Sequence, residues 1–275
     1  MRLSLLCAAL TLFLCFTSSA GADIVDNAKW SQLPNMGPWG YDFSSETGAE
    51  GVISSMAADD FLCTNDLPVV DVHWWGSYYV SNVLWPYPHS DNFNDPTTDV
   101  DQPPGILTGF NIEFYADIPA LEDPYMPWSH PGELLYEMFI PITAVQEVLY
   151  GTVVHIGGVE ENVWQYNVDL PRPFFQDPEA DPQDLDGDGV MDGTVYWLKI
   201  QAVHDSRTIQ WGWHESEALW HDNSVQHWPR NEYAPYWDIL SDKDMAFELT
   251  FIPEPSLLLV FGFGALALLR RSRAR

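Results

Sequence analysis

The chain is 275 residues long and carries a formal charge of −29, with 40 acidic residues against 11 Lys and Arg. Residues 23–253 hold 39 of the acids and only six of the basic residues, Lys29, Arg172, Lys199, Arg207, Arg230 and Lys243. Such a body repels nucleic acid and anionic lipid, which excludes a nucleic-acid-binding function, and it attracts divalent cations and basic partners.

Taken in chain order, residues 1–22 have the layout of a secretory signal peptide. Arg2 is followed by an apolar run over 3–16 and by Ala20-Gly21-Ala22, a small-residue cleavage site before Asp23. Leu precedes both Cys7 and Cys15, so neither sits in a lipobox. With that segment removed Cys63 is alone, which forbids an intrachain disulfide. Cys63 follows Phe61-Leu62 at a strand-like position and reads as a buried, inert thiol.

The body then reads as strands. The runs are 69–80 (VVDVHWWGSYYV), 110–115, 134–142, 148–155, 163–170, 194–203 (TVYWLKIQAV), 209–213 and 245–251. In 194–203, Tyr196, Leu198, Ile200 and Ala202 share one face and Trp197, Lys199 and Gln201 the other. β-Branched and aromatic residues fill these runs, and Pro, Gly, Asn and Asp separate them. Twenty-one prolines and no long 3.6-residue period argue against helices. The expected fold is all-β: a single antiparallel β-sandwich over 23–251, jelly-roll-like, with a barrel as the alternative. Three long polar loops interrupt it, at 86–105, 116–132 and 172–193.

The segment 57–76 (AADDFLCTNDLPVVDVHWWG) resembles the start of an uncharacterised domain of secreted proteins from environmental bacteria. Its pattern is Ala-Asp-Asp-Phe, a short loop, then a strand ending in Trp-Gly. Residues 195–198 (VYWL) and 211–213 (WGW) fit the same resemblance, which implies a domain and no activity.

Residues 184–192 (DLDGDGVMD) place oxygen ligands at alternate positions of a tight loop. Asp184, Asp186, Asp188 and Asp192, with the backbone carbonyl of Val190, are candidate ligands for Ca²⁺, and Gly189 allows the sharp turn. The loop resembles the calcium loops of EF-hands and thrombospondin type 3 repeats. It departs from the EF-hand at the twelfth position, Val195, and no helix flanks it. A structural calcium staple between strands is expected; a solvated acidic turn is the alternative. Asp59, Asp60, Asp91, Asp95, Asp99 and Asp101 are candidates for a second site.

Catalytic motifs are absent: there is neither G-x-S-x-G nor H-E-x-x-H. His204, His214, His221 and His227, with Glu215 and Glu217, read as scattered strand-end and loop residues rather than a zinc set. A glycosidase needs two positioned carboxylates, but among so many acids any pair can be chosen. The expectation is therefore a protein that is not an enzyme. Aromatic residues can stack on sugar rings, and Trp220, Trp228 and Trp237, in polar His-rich stretches, are the candidate glycan contacts. Those in strands, such as Trp74, Trp75, Trp211 and Trp213, read as core.

The chain closes with IPEPSLLLVFGFGALALLRRSRAR over 252–275. Its uncharged run, 257–269, is thirteen residues, short of the roughly 20 that a spanning helix needs. The Arg cluster after it places the C-terminus in the cytoplasm by the positive-inside rule. Pro253-Glu254-Pro255, a short apolar stretch with Gly262 and Gly264, and Arg270, Arg271 and Arg273 together resemble the PEP-CTERM sorting signal of exported Gram-negative proteins. The resemblance implies a short transmembrane segment held transiently in the inner membrane. It also implies processing by an exosortase-type membrane enzyme and an association with exopolysaccharide and biofilm. The expected function is an exported, non-catalytic protein of the cell surface or extracellular matrix. A calcium-dependent carbohydrate-binding module is the alternative, and a secreted glycan hydrolase the third reading.

Overall fold

The computed structural model describes residues 28–47, 54–80, 106–206, 209–227 and 237–251. The expected signal peptide, the tail at 252–275, the loop at 86–105 and Trp228 lie outside them.

The described residues form fifteen strands, one 3-10 turn (Ile142–Ala144) and no α-helix. In chain order the strands are β1 (Ala28–Gln32), β2 (Asp42–Ser44), β3 (Glu46–Thr47), β4 (Met56–Cys63) and β5 (Val69–Val80). Next come β6 (Leu107–Ile118), β7 (His130–Pro141), β8 (Gln146–Val154), β9 (Glu160–Phe174) and β10 (Pro182–Gln183). The last five are β11 (Gly193–His204), β12 (Ile209–His214), β13 (Val225–His227), β14 (Asp238–Ile239) and β15 (Phe247–Thr250). Among the described residues no helix is long and apolar enough to cross a membrane.

Two sheets face each other in a sandwich-like arrangement. The first is built on β5. One edge of β5 pairs with β9, which pairs with β8; the other edge carries β15 over residues 71–74 and β12 over 76–80. Outside these lie β1 and β2. The second sheet runs β14-β13-β4-β11-β6-β7, with the short β3 and β10 also paired to β11. All pairings are antiparallel except β3 with β11. Successive strands change sheets repeatedly, as β4 to β5, β7 to β8 and β11 to β12 do, so the two layers are stitched together along the chain.

Alternation dictates which side chains meet between the layers. Trp74, Tyr166 and Trp211 from the first sheet close around Phe110 of the second, with ring centroids 4.9, 5.1 and 5.2 Å from it. Phe114 stacks on Phe174 at 4.3 Å. Aromatic pairs of this kind each add about 0.5–1.5 kcal/mol beyond the area they bury. Cys63 is buried in the same core, and burial pushes its thiol up from the ordinary range.

The central strand β11 is buried on both faces. Tyr196, Leu198, Ile200 and Ala202 point into the core as the alternation predicts. On the far face Trp197 packs with Ala58 and Val225, and Lys199 pairs with Glu113 at 2.7 Å. Gln201 donates to the Ser55 carbonyl at 2.7 Å. A polar far face can be buried because each polar group there has a partner.

Candidate functional site

The acidic loop rises from the central strand. Pro182 and Gln183 of β10 pair with Thr194 and Gly193 of β11, and Asp192 N–H donates to the Gln183 carbonyl at 2.8 Å, closing the base. Gly187 and Gly189 take φ of 75° and 87°, a region that favours glycine. Asp184 accepts from the Gly187 and Gly189 amides at 2.8 and 2.9 Å. Asp186 accepts from the Asp188 amide at 3.0 Å, and Asp188 from the Val190 amide at 2.7 Å. One oxygen from each of Asp184, Asp186 and Asp188 lies within 4.8 Å of the other two, and all three residues are exposed. Asp192 instead accepts from the Leu185 amide at 2.9 Å and buttresses the loop. The loop thus brings three of the five predicted ligands together. Three hard oxygens suit calcium, which takes six to eight, the remainder from backbone and water.

Of the tryptophans expected to meet glycan, Trp220 and Trp237 are half-buried and Trp228 lies outside the described residues. Trp220 is edge-on to Trp30 at 4.6 Å, and its amide donates to Asp244 at 2.6 Å. Trp237 packs against the Ala58, Trp197 and Val225 cluster, and its carbonyl accepts from the Trp128 indole at 3.1 Å. Among the described tryptophans the exposed ring is Trp39, at 58%. It lies in a stretch with no strand pattern, so sequence reasoning passed over it.

A groove of about 720 Å³ runs along the outer face of the first sheet. Its floor holds Gln165 and Asn167 of β9 and His73 and Trp75 of β5, with Tyr150 at one wall. Tyr150 is 39% exposed and stands edge-on to the buried Trp75 at 5.5 Å. His73 is bonded to Asn167 and paired with Asp71 at 3.0 Å. Burial opposes its charge, but the contacts with Asp71 outweigh that and raise its pKa. Amides, a carboxylate and an imidazole beside an aromatic ring are groups that recognise sugar hydroxyls and faces.

His204, His214, His221 and His227 do not converge on one centre. His204 pairs with Glu46 at 2.6 Å, His214 with Asp42 at 3.0 Å, and His221 with Asp60 at 3.1 Å. His227 lies edge-on to Trp237 at 6.0 Å.

Asp59 and Asp60 head a second acidic group, which is buried. Asp59 points between the sheets and accepts from the Met245 amide at 2.7 Å. Asp60 points outward to His221, which also meets Asp222 at 3.2 Å. Asp244 accepts from the Trp220 amide and from Gln32. Burial, and then neighbouring carboxylates, hold Asp59 and Asp60 well above the ordinary carboxyl range. Burial and Asp222 push Asp244 up from 3.8 to about 7, against the bonds from the Trp220 and Ser224 amides and Gln32. The other acids suggested for a second site, Asp91, Asp95, Asp99 and Asp101, lie outside the described residues. Two adjacent acids inside an otherwise apolar run, AADDF, were the signal for this group.

No curated protein matches the chain, and no solved structure does. A family model, described as a domain of unknown function (DUF7901), matches residues 28–250, nearly the whole of the described fold. The chain therefore belongs to the DUF7901 family.

Proposed function

We propose that the protein is an exported, non-catalytic component of the cell surface or extracellular matrix. In this reading residues 1–22 direct export. The tail at 252–275, with Pro253-Glu254-Pro255 and Arg270, Arg271 and Arg273, is the address read by an exosortase-type enzyme. The body is a jelly-roll-like sandwich in which calcium staples the 184–192 loop. The observation that carries the reading is the convergence of Asp184, Asp186 and Asp188 at an exposed loop closed onto the central strand. Calcium is plentiful outside cells, and extracellular modules bind it at about 10⁻⁴–10⁻³ M, so a partial ligand set suffices there. Deletion of residues 253–275 in the native host tests the address. Free secretion of the shortened protein is expected; unchanged sorting and processing overturns it.

A second reading, a carbohydrate-binding module, is favoured by the groove at Tyr150, Gln165 and Asn167. Here the test is binding of the purified protein to host exopolysaccharide and a glycan panel, with calcium and with chelator. Saturable binding that Asn167→Ala and Tyr150→Ala weaken supports it. Equal binding by both variants overturns it.

A further inference from the structure

Under the segment 33–41, on the outer face of the first sheet, one imidazole and two carboxylates bring a ligand atom each to the same point. Asp42 and His214 are direct cross-strand partners in the pairing of β2 with β12. Glu161 reaches the same point from β9. One ligand atom of each lies within 4.8 Å of the other two.

The proton on His214 can be placed from its surroundings. Its Nε2 lies 2.9 Å from the Asn35 carbonyl oxygen, which only accepts, so Nε2 carries the hydrogen. In the neutral imidazole Nδ1 then offers a lone pair on the side of Asp42, whose Oδ1 lies 3.0 Å away. A backbone carbonyl that fixes the tautomer of a histidine and aims its other nitrogen inward is the usual support of a metal ligand. Glu161 has support of the same kind, because His155 Nε2 lies 2.6 Å from its Oε2. The Tyr41 ring stacks on the His155 ring with centroids 6.2 Å apart and holds it in place.

Two further atoms point to a missing partner. Asp42 is 4% exposed, and its Oδ2 accepts no hydrogen bond. Ser77, 1% exposed, turns its hydroxyl toward the same carboxylate without a well-formed hydrogen bond. Space for the Asp42 side chain is made by Gly212, where a Cβ would fall 2.6 Å from Asp42 Cβ.

We propose that Asp42, Glu161 and His214 Nδ1 form a buried site for a divalent first-row transition-metal ion of the zinc type, with His155 positioning Glu161 and Ser77 beside the open coordination position. One imidazole and two carboxylates match the nitrogen and oxygen preference of such ions. Two carboxylates, neutral imidazoles and a dication sum to no net charge, which is what a buried cluster requires. The site is separate from the 184–192 loop, whose all-oxygen, exposed set suits a harder ion.

The test uses the full chain, washed with chelator in urea and refolded with Co²⁺ or Zn²⁺, because the 33–41 segment covers the site once folded. Expected is a visible Co²⁺ absorption that saturates at a single equivalent per chain and persists in Asp186→Ala/Asp188→Ala. Asp42→Asn should abolish it, and His155→Phe should weaken binding by roughly 10–100-fold while keeping the band shape. Should Asp42→Asn fail to fold, zinc-edge X-ray absorption of the wild type decides. An oxygen-rich shell with a single imidazole supports the site, and any other shell overturns it. A folded wild type that retains neither ion, or an Asp42→Asn variant that binds as well as wild type, also overturns it.

Discussion

The two acidic groups of this molecule use the same side chain in opposite surroundings. At 184–192 the aspartates stand in water and cap the amides of their own loop. At Asp59, Asp60 and Asp244 they are enclosed by the sheets, and burial favours the protonated form. The difference teaches that acid content alone says little about this protein. What matters is whether each carboxylate faces solvent or a strand.

The largest expected effect comes from breaking the buried group. Asp59→Ala leaves the Met245 amide without an acceptor and opens a hole between the sheets. We expect a loss of about 2–4 kcal/mol in urea unfolding at pH 5. A loss below ~0.5 kcal/mol would remove the contrast with the loop.

The next effect is pH dependence. A carboxyl whose pKa is raised in the folded state keeps a proton that the unfolded chain releases. Its favourable contribution is therefore present at low pH and is lost as pH climbs from about 4, the unfolded value, through about 7, the folded value of Asp244. Asp244 faces Asp59, Asp222 and Gln32, none of which supplies a cation to reverse the sign. In calcium-free buffer Tm at pH 5 should exceed Tm at pH 8 by on the order of 5 °C. Asp244→Asn should flatten that slope; an unchanged slope places the titration elsewhere.

Calcium should act on the other group alone. At a few times its Kd it should stabilise the wild type by about 1 kcal/mol, read as a rise in Tm. Asp186→Ala with Asp188→Ala should abolish the rise, and Asp59→Ala should keep it. No rise in the wild type at millimolar calcium reduces the loop to a solvated turn. The smallest effect closes the series: without calcium, Asp186→Ala should shift stability by less than ~0.5 kcal/mol, because the residue is exposed.

Much of the fold was legible where alternation was clean. The runs 69–80, 194–203 and 209–213 became β5, β11 and β12 with at most one residue added at an end. Legibility failed where a second principle intervened. β4 was legible only at its end, Phe61 to Cys63, because Asp59 and Asp60 put a carboxylate on each of its faces, where a surface strand would be apolar on one side. β9 was expected to stop at 170, before Pro171 and Pro173, yet it continues to Phe174. Its pairing with β5 skips from Asp169 to Phe174, so neither proline is asked for a ladder hydrogen bond there. The convergence of Asp184, Asp186 and Asp188 was legible because they stand at alternate positions of one short loop. The Asp42, Glu161 and His214 cluster was not, because its members are far apart in sequence and only the pairing of β2 with β12 and the course of β9 unite them. His214 was seen, but grouped with neighbours in sequence rather than with its partner across the sheet.

The place of β15 has a mechanical consequence. It is paired on one side by β1 and on the other by β5 over the whole of Phe247–Thr250. A load applied along the axis of β15 would therefore fall on an inner strand. Both ladders are loaded in shear, many bonds at once, rather than peeled one by one from an edge. The first strand of the fold acts as a clasp over the last, and the sheet would resist such a load as a unit.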